Sequence, residues 1–443
     1  MKPLLLTLGL GVFAGALDLS VLSPALPALG KDFGVQTSDL AWVFTLYLLA
    51  TIVSIAVASA LADRYGRRSI YIGCVALFAL GSLLVIAAPN YAVFLAARAL
   101  QALGAGGVFP VATAAIGDVV PRERRGAALG LVAATWGLAA VIGPTFGGLV
   151  THFISWRWIF VPNIPLAIAV FVLARLYVPS TAPRRRRPID VAGLFLLCAG
   201  LLAVMDGLIT SRIGIGALGV VSIAAFVLWE RSVAEAAVVP MSLFSTPQLA
   251  KTYALELAIG VLEGALFFIP TVLIGAQNLS SAAAGSIAAL GALTFVTVIP
   301  AAGRALDRIG SRDVLLAGTV LTELGLAIFA LGFASLWLTL LSMVVAGAGF
   351  GALLGAPTRY IVTNETPESV RATAVGLLSQ CLIVGQILGS SLAGGLIGLA
   401  TNELVGYRHA YLGFCAVAFL ALLLALTLKS RRDERAHPIA QAA

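Results

Sequence analysis

A ten-residue segment occurs twice in this chain. Ser59-Ala60-Leu61-Ala62-Asp63-Arg64-Tyr65-Gly66-Arg67-Arg68 returns as Gly303-Arg304-Ala305-Leu306-Asp307-Arg308-Ile309-Gly310-Ser311-Arg312, 244 residues later. Each copy closes one long apolar stretch and precedes another. Pro121 to Arg125 matches Pro367 to Arg371 at an offset of 246, and Gly147-Gly148 matches Gly394-Gly395 at 247. Offsets this constant mean that one multi-helix unit is present twice. In a membrane, two such bundles enclose a central site and expose it to either side by rocking against each other.

The apolar stretches have membrane length. Charged residues are 11% of the chain and hydrophobic residues 60%, with a mean hydropathy of +1.03, whereas soluble domains carry about 25% charged residues. A spanning helix needs ~20 mostly apolar residues. Windows of that length predict fourteen: 5–29, 40–62, 69–88, 92–117, 126–150, 157–177, 191–208, 213–229, 251–275, 283–303, 315–333, 336–357, 370–398 and 408–428. The predicted fold is an all-α, polytopic membrane protein of two six-helix bundles, 1–178 and 249–428, plus two extra helices. Residues 179–248 contain a proline-bounded basic run ending in Arg184 to Arg187, the extra pair, and a second polar loop from Glu230 to Gln248. The repeat is complete without the pair, so the pair is expected at the periphery. Residues 429–443 form a charged, then Ala-rich, tail expected to be disordered.

Basic residues orient these helices. With the N-terminus in the cytoplasm, 23 of the 28 Lys and Arg fall on the inner side. Lys31, Arg157, Arg212 and Arg408 fall outside, and Arg98 is left within the membrane. The positive-inside rule then predicts a multi-pass protein of the cytoplasmic (inner) membrane with both termini in the cytoplasm. The net charge of +8 is this topology signal, and no basic patch interleaved with aromatics suggests nucleic acid. Cys74, Cys198, Cys381 and Cys415 lie in apolar spans without metal-ligand spacing, so no metal is expected. There is no Walker A sequence, no G-x-S-x-G and no HExxH. An enzyme and a cofactor are therefore not expected, and an ion gradient is the energy source left.

An ionisable group at the bilayer centre costs roughly 2.5–3.5 kcal/mol on insertion scales and is a functional candidate by default. Asp18, Asp206, Glu256, Glu263 and Glu323 qualify. The repeat offset carries Asp18 onto Glu263, placing two carboxylates at equivalent depths, facing a shared cavity if both point inward. Such groups can exchange protons or bind a cationic substrate; alternatively each pairs with a buried base or hydroxyls and never titrates. Glu256 precedes Glu263 by two helical turns on one face. It is expected as a partly hydrated interfacial acid, with an inward proton relay as the alternative. Glu323 has no evident companion, and Asp206 lies where water reaches it.

Arg98 stays charged in the membrane and needs a carboxylate, carbonyls or a polar cavity. The loops Asp63-Arg64-Tyr65-Gly66-Arg67 and Asp307-Arg308-Ile309-Gly310 read as gate elements, with Asp63 able to bind the neighbouring bundle when the inner side closes; a role in topology alone is the alternative. Gly143-Pro144 interrupts the fifth helix, while Gly137, Gly147 and Gly148 allow another helix close.

In order and spacing, these segments resemble the major facilitator superfamily and, more narrowly, its fourteen-helix drug:proton antiporter family, over nearly the whole chain. The resemblance rests on Leu17-Asp18-Leu19-Ser20-Val21 with Ala25-Leu26-Pro27, on Ser59 to Arg68 (Ser59 where Gly is usual), and on Arg98-Ala99-Leu100-Gln101-Ala102 (Ala102 where Gly is common). Gly137 through Gly143-Pro144-Thr145-Phe146-Gly147-Gly148, similar to an exporter pattern, adds to it. So do Trp156 to Phe160 with Asn163 and Pro165, and Asp190 to Gly193. The resemblance implies proton-coupled antiport of small amphipathic or cationic compounds such as drugs, by a monomer in the bilayer, with Arg98 coupled to Asp18 or a neighbouring helix and Gln101 in the same segment. An importer of a small metabolite and a non-transporting receptor or scaffold remain the alternatives.

Overall fold

Apolar chain in lipid can satisfy its backbone only as helix or closed barrel. The computed structural model describes residues 2–180, 190–233, 239, 241–244, 246–367 and 370–431, with backbone alone at 122–127, 133, 242 and 372. Among the described residues the chain is helical and has no strand. The run Arg184 to Arg187 and the tail from Arg432 lie outside the described residues, as do the side chains of Arg122, Arg124 and Arg125.

The helices are α1 (Lys2–Ser20), α2 (Leu26–Phe33), α3 (Ala41–Tyr65), α4 (Arg67–Ile86), α5 (Tyr91–Val119), α6 (Arg122–Phe153), α7 (Asn163–Tyr177), α8 (Val191–Thr210) and α9 (Ile213–Glu230). They continue as α10 (Pro247–Gly264), α11 (Ile269–Gln277), α12 (Ser281–Ile309), α13 (Ser311–Gly332), α14 (Leu336–Leu353), α15 (Pro357–Glu365), α16 (Arg371–Gly398) and α17 (Glu403–Leu426). Fourteen spans result among the described residues, each long and apolar enough to cross a membrane, and they match the fourteen windows read from sequence. Three spans are broken, α1–α2, α10–α11 and α14–α15. Pro24 and Pro27, Pro270, and Pro357 stand at these breaks, each removing a donor from the ladder.

Two breaks are repeat-related, and they touch. The 3₁₀ turn Ser23–Ala25 follows α1 and the turn Ala265–Phe268 follows α10. Ser23 Oγ donates to the Phe267 carbonyl at 2.5 Å, across 244 residues. The duplicated loops also share a conformation, because Gly66 and Gly310 have φ of 91° and 94°, which a side chain would strain.

With an even number of spans, Lys2 and Arg431 lie on one face, here the terminus side; the opposite face is the far side. On the far side one apolar core runs through both halves of the repeat, joining Phe44, Leu48, Phe268, Leu273 and Ile387. Phe44 stacks on Phe267 at 4.3 Å, and Thr45 shares a hydrogen bond of 3.3 Å with Ser391. Toward the terminus side the core divides. Leu8, Tyr71 and Ile116 belong to a cluster confined to the first half, and Leu255, Leu315 and Ala421 to one confined to the second. Among the described residues the apolar seal therefore joins the halves on the far side and is parted on the terminus side.

The extra helices lie outside both bundles. α8 and α9 meet where Gly207 faces Gly216 and Gly200 faces Gly219. α8 rests on α16 and also on α3, one from each half; Gly395 admits the Leu208 carbonyl, which a Cβ there would approach to 2.3 Å. α9 turns Ile213, Leu218, Val220 and Leu228 outward.

Candidate functional site

Asp18 lies in the last turn of α1, just before the first break. Its side chain turns into the first half, where it and Arg98 are both 0% exposed. Arg98 Nη1 donates to Asp18 Oδ2 at 2.5 Å and to Gln101 Oε1 at 2.6 Å. Gln101 Nε2 donates to Asp18 Oδ1 at 2.7 Å, and Asn163 Nδ2 donates to the same oxygen at 2.9 Å. Ser82 Oγ accepts from both amides. The guanidinium carbon sits 4.2 Å from the centre of the Tyr47 ring and 5.6 Å from that of Phe160, at cation–π range. Gly81 makes the cluster possible, because a Cβ there would lie 2.5 Å from the Gln101 backbone.

This corrects one expectation: Asp18 does not face a cavity shared with Glu263. It is saturated by three donors inside its own bundle. Arg98, Gln101 and Asp18 are brought together, the first and last of them as the family resemblance implied. Ser82 and Tyr47 were missed, since a hydroxyl in an apolar span reads as a packing residue, and Asn163 had entered only through its resemblance to a family segment.

The second half is built differently. Glu263 occupies the equivalent place, one residue before the end of α10, and is half-buried. It accepts from Gln386 Nε2 of α16 at 2.8 Å and has no ion pair among the described residues. The repeat offset explains this: positions corresponding to Arg98 on α14 are Met343 and Val344. Glu256 is 6% exposed, so the expectation of a partly hydrated interfacial acid is corrected. Its Oε2 lacks a hydrogen bond, and Thr358, Arg359 and Glu263 are the polar groups around it. Glu323 is half-buried on α13 near Cys415, and Asp206 is half-buried near the far end of α8; neither joins the other acids.

At the first duplicated loop, Asp63 binds Arg67 of the next helix, Oδ1 to Nη2, at 2.6 Å. Arg67 also meets Asp118 at 3.2 Å, a partner at the end of α5 that sequence reading missed. In the second copy Arg431 donates to the carbonyls of Asp307 and Arg308, and its Cβ stands 2.8 Å from where a Gly310 Cβ would be. Arg64 lies against the Tyr65 ring at 5.0 Å.

The fifth span is a further contact between the halves. A Cβ at Gly143 would lie 2.0 Å from Ser20 Oγ, one at Gly147 2.0 Å from the Val21 carbonyl, and one at Gly148 2.3 Å from the Ser281 carbonyl of α12. Gly285 of α12 faces the Pro144 carbonyl in return, and Gly137 faces Val296. Ser20 Oγ donates to the Ala139 carbonyl at 2.9 Å, in the turn that Pro144 loosens.

These bundles and this repeat are matched by comparison with known proteins. The sequence profile of the Major Facilitator Superfamily fits residues 8–276 and again 257–443. The chain belongs to the Major Facilitator Superfamily. As a member of the superfamily it is a multi-pass membrane transporter of small molecules and not an enzyme. It is 33% identical over 413 residues to the uncharacterized MFS-type transporter YfiU of Bacillus subtilis (strain 168), covering 89% of this chain and 79% of that one. It is 30% identical to the tetracenomycin C resistance and export protein of Streptomyces glaucescens, over 90% of this chain and 77% of that one. Among solved facilitator structures, a D-xylose-proton symporter superposes with a TM-score of 0.72 at 16% identity, covering 98% of this chain and 99% of that one.

Proposed function

We propose that this facilitator exports small amphipathic or cationic compounds in exchange for protons, as a monomer in the cytoplasmic membrane with its terminus side in the cytoplasm. The observation that carries the reading is the contrast between Asp18 and Glu263. Asp18 is neutralised by a buried guanidinium, whereas Glu263 is held by a neutral amide alone. A carboxylate held by neutral groups can lose or take a proton without breaking an ion pair, so Glu263, with Glu256 on the same face, is the coupling group. Asp18, Arg98 and Gln101 brace the first bundle. Glu323 is left as a secondary polar site along the pathway.

Export is favoured by the relative from Streptomyces glaucescens, which bears resistance and export in its name; the 23 basic residues on the terminus side support the orientation. The parted terminus side then admits substrate from the cytoplasm. The duplicated loops rearrange as that side closes, trading the Asp63–Arg67 contact for partners in the other half.

Everted membrane vesicles test the reading. An antiporter in such vesicles takes up an organic cation while protons leave, and Glu263→Gln abolishes both fluxes. Uptake that proceeds with protons moving in the same direction as substrate would identify an importer instead.

A further inference from the structure

A cavity lies between the halves on the far side, with a volume of about 380 Å³. One wall is the segment from Pro27 to Leu40 of the first half, and the other is Thr271 and Ile274 of α11 with Glu403 and Tyr407 of α17. Glu403 Oε1 accepts from Thr37 Oγ1 at 3.0 Å, across the halves, and Oε2 accepts from Tyr407 Oη at 3.4 Å. Both donors are neutral, and no ion pair between described residues engages this carboxylate. Thr271 stands in the wall, 3% exposed, with its hydroxyl buried behind the surface. Lys31 stands exposed at the mouth.

We propose that this cavity is a binding site for an amphipathic organic cation. Glu403 faces the positive charge, and Ile274 and Val35 take the apolar body. Lys31 competes with the ligand for Glu403. The ligand class rests on the export reading above. Because the two walls belong to different halves, the site exists only while the far side is closed. A ligand that binds one state alone shifts the population toward it, so occupancy holds the far side shut and slows the transport cycle.

Ethidium, a planar organic cation with amino groups, is a suitable probe. Its binding to the purified full-length protein would be measured by equilibrium dialysis for the parent, Glu403→Gln, Lys31→Ala and Glu263→Gln, each checked by its melting temperature. The glutamine at 403 keeps the shape and hydrogen-bonding capacity of an exposed residue at the start of α17, so folding is preserved. Glu403→Gln is expected to weaken this site about tenfold, Lys31→Ala to tighten it, and Glu263→Gln to leave it in place. In proteoliposomes, ethidium added on the far side is expected to slow gradient-driven transport in the parent and not in Glu403→Gln. Unchanged binding in Glu403→Gln would overturn the site, and weaker binding in Lys31→Ala would overturn the cationic class. Loss of proton coupling with Glu403-dependent binding intact would sink the export reading and leave the site standing; coupled transport without such binding would do the reverse.

Discussion

The first bundle is predicted to depend on Asp18 for stability more than for proton exchange. Asp18→Asn keeps the shape of the side chain and an oxygen to accept from Gln101 and Asn163, but it removes the charge facing Arg98. Both groups are 0% exposed, so no water replaces the lost partner, and stranding one member of a buried pair costs about 3–5 kcal/mol. For scale, the Arg157–Asp32 pair has side chains 33% and 43% exposed, and pairs of that kind contribute only about 0–1 kcal/mol. The measurement is melting temperature in detergent for Asp18→Asn, Arg98→Met and the double variant. Each single variant leaves a charge unpaired, and the double variant leaves none. The double variant should therefore melt above either single one, a non-additivity that reports direct coupling. Glu263→Gln should melt like the parent while losing proton-coupled transport, because its partner is an amide. If Asp18→Asn melts at the parent temperature, or the three variants add, the bracing role assigned to Asp18 is wrong.

Three further outcomes are expected. Asp63→Asn weakens one of the two carboxylate contacts of Arg67 by roughly 1–3 kcal/mol, so transport should fall while membrane expression persists; equal transport rates would reduce the loop to a topology signal. Gly147→Ala places a methyl 2.0 Å from the Val21 carbonyl, forcing α6 off α1, and should cut the yield of folded protein in size-exclusion chromatography, whereas Gly117→Ala, with nothing within 4 Å, should not. Cysteines placed at Gln277 and Ser430 should respectively react with and resist an impermeant thiol reagent in intact cells; labelling at 430 would invert the proposed orientation.

Span number and approximate limits were legible because lipid imposes a length and a polarity on each helix, and the duplicated loop set the register of the halves. The Asp18–Arg98 pairing was legible in part, since a lone base in the membrane needs a carboxylate, carbonyls or a polar cavity, and the family resemblance pointed to Asp18. Its exclusivity was not. Whether a carboxylate turns into its own bundle or toward the cavity depends on a rotation of less than one helical turn about α1, and no spacing rule reports that. Asp118 escaped notice because an acid at a helix end reads as ordinary solvated surface until Arg67 is seen above it. The seat of α8 across α3 and α16 depends on Gly395, which the repeat marked out as a counterpart of Gly148 without showing that it would admit an extra helix.

The continuous apolar core of the far side, set against the divided cores of the terminus side, gives the switch between states a thermal character. Opening the far side would wet Phe44, Leu273 and their neighbours, and closing the terminus side would dry a different set. Wetting apolar surface raises heat capacity, and the stabilisation from burying it weakens on cooling. Unless the two sets match in area, the balance between conformations must bend with temperature instead of following a straight van't Hoff line. The curvature measures the difference between the two seals, so this transporter would also carry, in its far-side seam, the physics of a thermometer.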